Sequence, residues 1–515
     1  MEKLRHQVFW PSLLLLAAGL LYTLTGGEAA VLSLNKFLRS SIQALQVPLS
    51  YSAVGALVLC LLIAVSPLGR VKIGGAGAQT ELTTWQYFSI ALCTTVAVGI
   101  LFWATAEPLY HLKSPPTSLG LSPGTEGAKV FAMSTLLQHW TFIPYSLYAI
   151  PSVLFALAFY NLGRPFRLSS CLYPLLGERS EGFIGTLVDS VCLFALVAGM
   201  AASLGAGILS LGGGVQYLLG IPGGQWLWIG LGVTVVASFV LSAISGLDKG
   251  VRILSDFNTK VFLCMLLFIA LLGPGGDRVA TTVEGFIDFV IHLVPRGLLW
   301  SFDSSDSWQL EWPLFYWTNW LAWAPMTGLF LGRISKGYTV RQMMFFTLIL
   351  PSLFVIFWMG ILGGSALCLE SQTGTLIPIL EYSGPESVIY AIFHHMPLGG
   401  LMATIFVVGV FISYVTAADS NTLAMAGLCW SGVSTENPNP PNSLKILWGC
   451  LVGVLSLVMI CNTGIDGVKA LSNLGGIPAL FFEGACGLSL FLLMKKSYEE
   501  DTDSVIQGKI KQRPH

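Results

Sequence analysis

The chain has 515 residues and a net charge of −1, with 54% hydrophobic and only 10% charged residues, and its mean hydropathy is +0.73. Soluble domains carry about 25% charged residues, so this balance excludes an ordinary soluble protein. No basic block points to nucleic acid.

Twelve apolar segments lie near 9–26, 48–67, 84–112, 129–160, 184–213, 224–246, 251–273, 310–333, 341–367, 399–427, 444–462 and 470–495. Each is about the length needed to cross a bilayer. The expectation is an all-α polytopic membrane protein of about twelve transmembrane helices, with the lipid bilayer as its surroundings. The first segment follows "MEKLRHQ" and imitates a signal peptide, but it lacks a small-x-small cleavage site and more spans follow, so it reads as a helix. Segments 30–46 and 280–295 look amphipathic rather than spanning, and the second reads as lying along the interface or against a neighbouring subunit.

Two spans read as interrupted. The third contains "TVAVGILFWATAEP", with Gly99, Glu107 and Pro108; the eighth contains "WAPMTG", with Pro325 and Gly328. Transporters hold substrate near the midplane on such helices. The two spans stand five apart, which fits a five-plus-five inverted repeat, 84–273 and 310–495, after two extra N-terminal helices. A short cytoplasmic tail, 496–515, would follow. Lys and Arg gather on the side of the N-terminus, as in "GRPFR", "DKGVR" and "GRISKG". The positive-inside rule then puts both termini in the cytoplasm, with the protein multi-pass in the plasma (inner) membrane. Ten cysteines stand singly, with no Cys-x-x-Cys pair; they read as small apolar residues, and neither disulfides nor metal are expected.

Aromatic residues stand out inside two spans. "QHWTFIPYSLYAIP" carries Trp140, Tyr145 and Tyr148; Tyr145 and Tyr148 are three apart and share a helical face, with Trp140 within reach of it. "FYWTNWLAWAP" carries Trp317, Trp320 and Trp323, every third residue. Such rings often form an interfacial belt or ordinary packing. These lie inside the spans, beside prolines and with few charges. They therefore read as an aromatic cage for a diffuse cation such as trimethylammonium, each contact worth roughly 0.5–2 kcal/mol.

"FYWTNWLAWAPMTGLFLGRISKG", "LFWATAEPLYH", "QHWTFIPYSLY" and "VTAADSNT" together resemble the betaine/choline/carnitine transporter family, in order and over nearly the whole chain. The resemblance implies the leucine-transporter fold with two extra N-terminal helices, a homotrimer, and alternating access around an aromatic box. Carried over by position, the box is Trp140, Tyr145, Tyr148 and Trp320, with Trp317 beside it and Trp323 on the cytoplasmic exit path. Tyr145 replaces a family tryptophan. Asn319 stands where another tryptophan is usual, and offers an amide to a carboxylate or hydroxyl. Choline-type members carry an acidic residue near the place of Gly99. Its absence points to a zwitterion such as glycine betaine or carnitine. Glu107, in its Glu-Pro setting, reads as a structural turn at a helix end.

No cofactor is implied beyond a possible coupling ion. By the same resemblance, a sodium site would use Thr416 with backbone carbonyls of Cys93, Val96 and Ser413. Ala417 stands where sodium-coupled members have serine, and Met200 where a second site has threonine. Asn258 stands where sodium-independent exchangers of the family carry an arginine, which argues against exchange. Lys260, inside a span, is either a snorkelling side chain or a built-in ammonium replacing the cation. His139 reads as a hydrogen-bonded packing residue, and Asp419 and Ser420 as capping or stabilising the tenth span. Long basic tails mark the family's osmosensing members, and the tail here is short. The leading expectation is a sodium-coupled symporter of quaternary-ammonium zwitterions, and the alternative is a sodium-independent exchanger of carnitine type. A membrane enzyme acting on choline-containing headgroups would need a nucleophile–base pair or a metal cluster; the sequence has no HExxH, no GxSxG with partners and no grouped His/Asp set. A channel would need a continuous pore.

Overall fold

A computed structural model describes residues 4–245, 248–304, 306–433 and 439–499, with backbone alone at 96–98 and 248–252. The tail beyond Glu499 lies outside them. All twelve expected segments are helical. They form α1 (His6–Ala44), α2 (Gln46–Val65), α3 (Thr84–Lys113), the pair α4 (Glu126–Trp140) and α5 (Phe142–Ala156), and α6 (Phe183–Leu219). Next come α7 (Gln225–Ser245), α8 (Asp248–Leu272), α9 (Arg278–Gly297), α10 (Pro313–Ile334) and α11 (Leu350–Thr373). The last three are α12 (Gly399–Leu428), α13 (Asn442–Thr463) and α14 (Ile465–Glu499). Among the described residues ten spans are long and apolar enough to cross a membrane, and the two halves of α3 taken as one span make an eleventh. α10 has 22 residues, about 33 Å at 1.5 Å per residue, and its tryptophans and asparagine lower its hydropathy. Among the described residues there is no strand, only isolated bridges such as Lys72 to Thr339.

The breaks are not all where the sequence puts them. Thr84–Thr95 and Gly99–Lys113 meet at 57°, so α3 does bend beside Gly99. It then runs through Glu107 and Pro108 without stopping. α10 is continuous through Pro325, because a single missing N–H removes one helix bond while packing on both sides holds the rest. The second break falls instead in the fourth span, at Thr141 (φ −114°, ψ −123°), between α4 and α5. Matched breaks five spans apart therefore do not mark the repeat. Segment 30–46 is set off as expected: Gly27 (φ 55°, ψ −139°) breaks α1, and a second helical stretch runs from there to Ala44, burying Ala30, Val31, Leu38 and Ile42.

α10 is central and packs against α5 and α14, and α14 packs against α6. Small residues permit this closeness, as in other membrane bundles. A Cβ on Gly476 would stand 2.0 Å from the Thr318 carbonyl oxygen, and one on Gly328 would stand 2.8 Å from Pro151. α9 is amphipathic as expected. Gly285 and Phe289 are buried, while Val283, Ile287, Val290 and Val294 stay exposed.

Candidate functional site

The break at Thr141 lets the end of α4 and the start of α5 present rings to one face of α10. Trp320 is the common neighbour. Its ring centroid lies 5.4 Å from Trp140, 5.6 Å from Tyr145 and 5.1 Å from Tyr148, with interplanar angles of 74°, 58° and 61°. Edge-to-face rings of this kind hold one another while leaving faces available. The indole of Trp320 donates to the carbonyl of His139 at 3.0 Å, which bridges α10 to the last turn of α4.

Trp140, Tyr148, Trp320, Trp323, Asn319 and Gly99 line one cavity of about 50 Å³, together with Thr95, Trp103, Phe315 and Ser472 among others. Gly99 has a steric reason to be glycine. A Cβ there would stand 2.8 Å from Cη2 of Trp140, so any side chain, acidic or not, meets the ring. Asn319 accepts from the Ser472 hydroxyl at 2.9 Å, which orients its amide at the cavity wall.

Two expected members are displaced. Tyr145 touches Trp320 and Tyr148 but is fully buried and its ring backs the box without lining the cavity. Trp317 is turned away against His139, 5.9 Å between centroids at 82°. Residues three apart on a helix are about 60° out of register. A repeat of three therefore spirals off one face, and Trp317 leaves the cavity that Trp320 and Trp323 share.

Behind the box is a polar hub that the sequence reading missed. Glu107 lies within α3 and is fully buried, so it is no turn at a helix end. It accepts from Trp140 Nε1 at 2.6 Å and from the Tyr316 hydroxyl. His139 Nδ1 lies 2.6 Å and His111 Nε2 3.2 Å from the same carboxylate. Glu107, His111 and His139 thus do form a grouped set, with ligand atoms within 4.8 Å of one another. The i, i+4 spacing of Glu107 and His111 was the available signal. His139 is a hydrogen-bonded packing residue, as expected. The hub fixes the Trp140 ring through its N–H and the Tyr316 ring through its hydroxyl.

The expected ion ligands are only partly brought together. Asn258 donates to Ser413 Oγ at 2.8 Å, and Cys93 Sγ lies 3.4 Å from Thr259 Oγ1 and 3.4 Å from the Ser255 carbonyl. This joins α3, α8 and α12 through a cluster of buried polar side chains, where the ion pocket is expected. Thr416 is one turn along α12, with its hydroxyl bonded back to Ile412 and Ser413 of its own helix. The side chain of Val96 lies outside the described residues. Met200 is buried, and its carbonyl accepts from the Tyr414 hydroxyl. Lys260 is not part of this pocket. Its side chain is 60% exposed and pairs with Asp256 at 2.7 Å, so it is not an ammonium replacing the cation. Asp419 lies within α12 and stabilises it by accepting from Ser242 of α7 at 2.5 Å. Ser420 bonds back to the Thr416 carbonyl.

The model of the betaine/carnitine/choline transporter family matches residues 7–500. The chain belongs to that family. Similar proteins include a "Probable glycine betaine transporter" of Desulfitobacterium hafniense, 32% identical, covering 80% of this chain and 81% of the relative. "Glycine betaine transporter 1" of Vibrio parahaemolyticus is 29% identical over 85% of this chain and 83% of its own length. "Glycine betaine transporter OpuD" of Bacillus subtilis is 28% identical over 81% and 80%. Family membership makes the chain a membrane transporter and not an enzyme acting on headgroups.

Proposed function

We propose that this chain is a secondary active transporter of quaternary-ammonium zwitterions of the glycine betaine or carnitine type, working by alternating access. The observation that carries the reading is the cavity in which the rings of Trp140, Tyr148 and Trp320 face the amide of Asn319. Ring faces attract a cation that has no hydrogen to donate, and the amide offers a donor to a carboxylate. The cavity is lined by both kinds of group, and alternating access would open it by turns to either side. Trp323 lies on the cavity wall in keeping with an exit path, and Trp317 and Tyr145 support the box from behind.

Sodium is the coupling ion in this account, bound at the pocket of Cys93, Val96, Ser413 and Thr416 beside Asn258. The exposed, paired Lys260 supports sodium there over a built-in ammonium. The five-plus-five repeat, the homotrimer, the cytoplasmic termini and the inner-membrane location belong to the same proposal. The exposed apolar stripe of α9 suits a lipid or subunit contact.

The test is uptake of radiolabelled glycine betaine and carnitine into proteoliposomes, empty or preloaded, with and without a sodium gradient. Saturable, sodium-dependent uptake into empty vesicles, with counterflow, is expected. Uptake only into preloaded vesicles and indifferent to sodium would establish exchange, and non-saturating flux would establish a channel.

A further inference from the structure

A second ring cluster shares Trp103 and Phe315 with the cavity wall, and a lysine stands over it. Lys469, in the first turns of α14, points its Nζ over Trp312 at 5.0 Å, Phe315 at 5.5 Å and Trp103 at 5.9 Å from the ring centroids. Trp103 touches both other rings, 6.1 Å from Trp312 and 6.5 Å from Phe315. Each distance lies within the range for a cation over an aromatic face.

Among the described residues Lys469 makes no ion pair or hydrogen bond, although the charges of Asp466, Glu311 and Glu107 act on it from a distance. Glu311 pairs with Arg39 at 3.1 Å, Glu107 is the centre of the buried hub, and Asp466 is exposed. A cation near a helix N-terminus is also unfavourable for the helix itself, because the positive end of the dipole lies there. The rings hold the ammonium against these costs.

Trp103 and Phe315 belong to both sites. They hold Lys469, and they line the cavity that reaches Trp140, Tyr148 and Trp320. We infer that Lys469 is a tethered cation that selects the solute: it repels quaternary ammonium ions lacking an anion and admits those carrying a carboxylate. A net cation such as choline meets a fixed positive charge on the ring wall. A zwitterion presents a carboxylate that pairs with the ammonium as it leaves the rings, while the quaternary ammonium goes on to the box. This supplies a positive reason for zwitterion preference, beside the missing acid at Gly99. The inference rests on the transport reading above.

The experiment compares uptake of glycine betaine and choline into proteoliposomes by the full-length protein and by Lys469→Met, Lys469→Gln and Lys469→Arg. Wild type should prefer betaine. Lys469→Met should narrow the betaine-to-choline ratio of kcat/KM by about tenfold, as removal of a like-charge barrier does. Lys469→Arg should keep the ratio, since the charge and the ring contact persist. If Lys469→Met does not fold, Lys469→Gln gives the same comparison with a polar stem. An unchanged ratio in a folded neutral variant overturns the inference while leaving transport intact. Equal uptake of both solutes by wild type does the same. Uptake of neither solute by wild type contradicts the transport reading itself, and the inference falls with it.

Discussion

Glu107 and Glu483 are both carboxylates buried inside spans, yet their surroundings are opposite. Glu107 in α3 is met by Trp140 Nε1, the Tyr316 hydroxyl and two imidazole nitrogens. This suits an acceptor with two oxygens and several lone pairs. Glu483 in α14 is equally buried, and neither of its oxygens has a hydrogen-bond partner among the described residues. Polar groups inside a membrane are expensive unless paired. The pairing is found where rings must be held for a cation and is absent from Glu483. The contrast teaches that burial of a charge-bearing group does not mark the site; the donors gathered around it do.

The sharpest way to break this comparison is to remove the paired member. Glu107→Leu leaves an indole N–H, a phenol and two imidazoles without their acceptor, and loss of one partner from a buried ionic network costs about 3–5 kcal/mol. A large fall in the unfolding temperature in detergent is expected. A stable Glu107→Leu would mean the hub is not structural. Glu483→Leu should do the reverse and raise stability by about 1–3 kcal/mol, because an unpartnered polar group leaves an apolar setting. A lower unfolding temperature for Glu483→Leu would reveal a partner and erase the contrast. A smaller and more local effect is expected from Gly99→Ala. Its methyl would stand 2.8 Å from the Trp140 ring, tilting the ring that Glu107 fixes. Loss of one cation–π contact corresponds to about a two- to thirtyfold rise in the half-saturation concentration for betaine, with stability little changed. An unaltered half-saturation concentration would show that the Trp140 ring is not part of the solute site.

Much of this was legible in the sequence. Twelve apolar segments reported twelve helical segments, since bilayer length and hydrophobicity leave little else possible. Trp140, Tyr148 and Trp320 stood out among the aromatic residues inside spans, and the family resemblance marked them as box residues. Which rings face the cavity was not legible. The spacing of Trp317, Trp320 and Trp323 drifts around the helix, and only packing against α5 and α14 decides where the drift leaves each ring. Pro108 and Pro325 read as breaks because a proline lacks its N–H, but neighbouring helices carried both through. At Thr141 the cue was Pro144, which has no N–H for the Trp140 carbonyl and sits in the first turn of the new helix. Lys260 and Lys469 are both lysines within apolar stretches, and sequence singled out only the first. Three-dimensional contact separates them: one reaches the surface and an aspartate, the other reaches three rings from two places in the chain.

The most direct test is glycine betaine binding to the purified protein, followed by tryptophan fluorescence or calorimetry, in wild type and in Trp320→Leu. Trp320 touches Trp140, Tyr145 and Tyr148, so the account predicts saturable binding by wild type and at least about tenfold weaker binding by a folded Trp320→Leu. Equal affinity in the two proteins would contradict the aromatic box as the solute site.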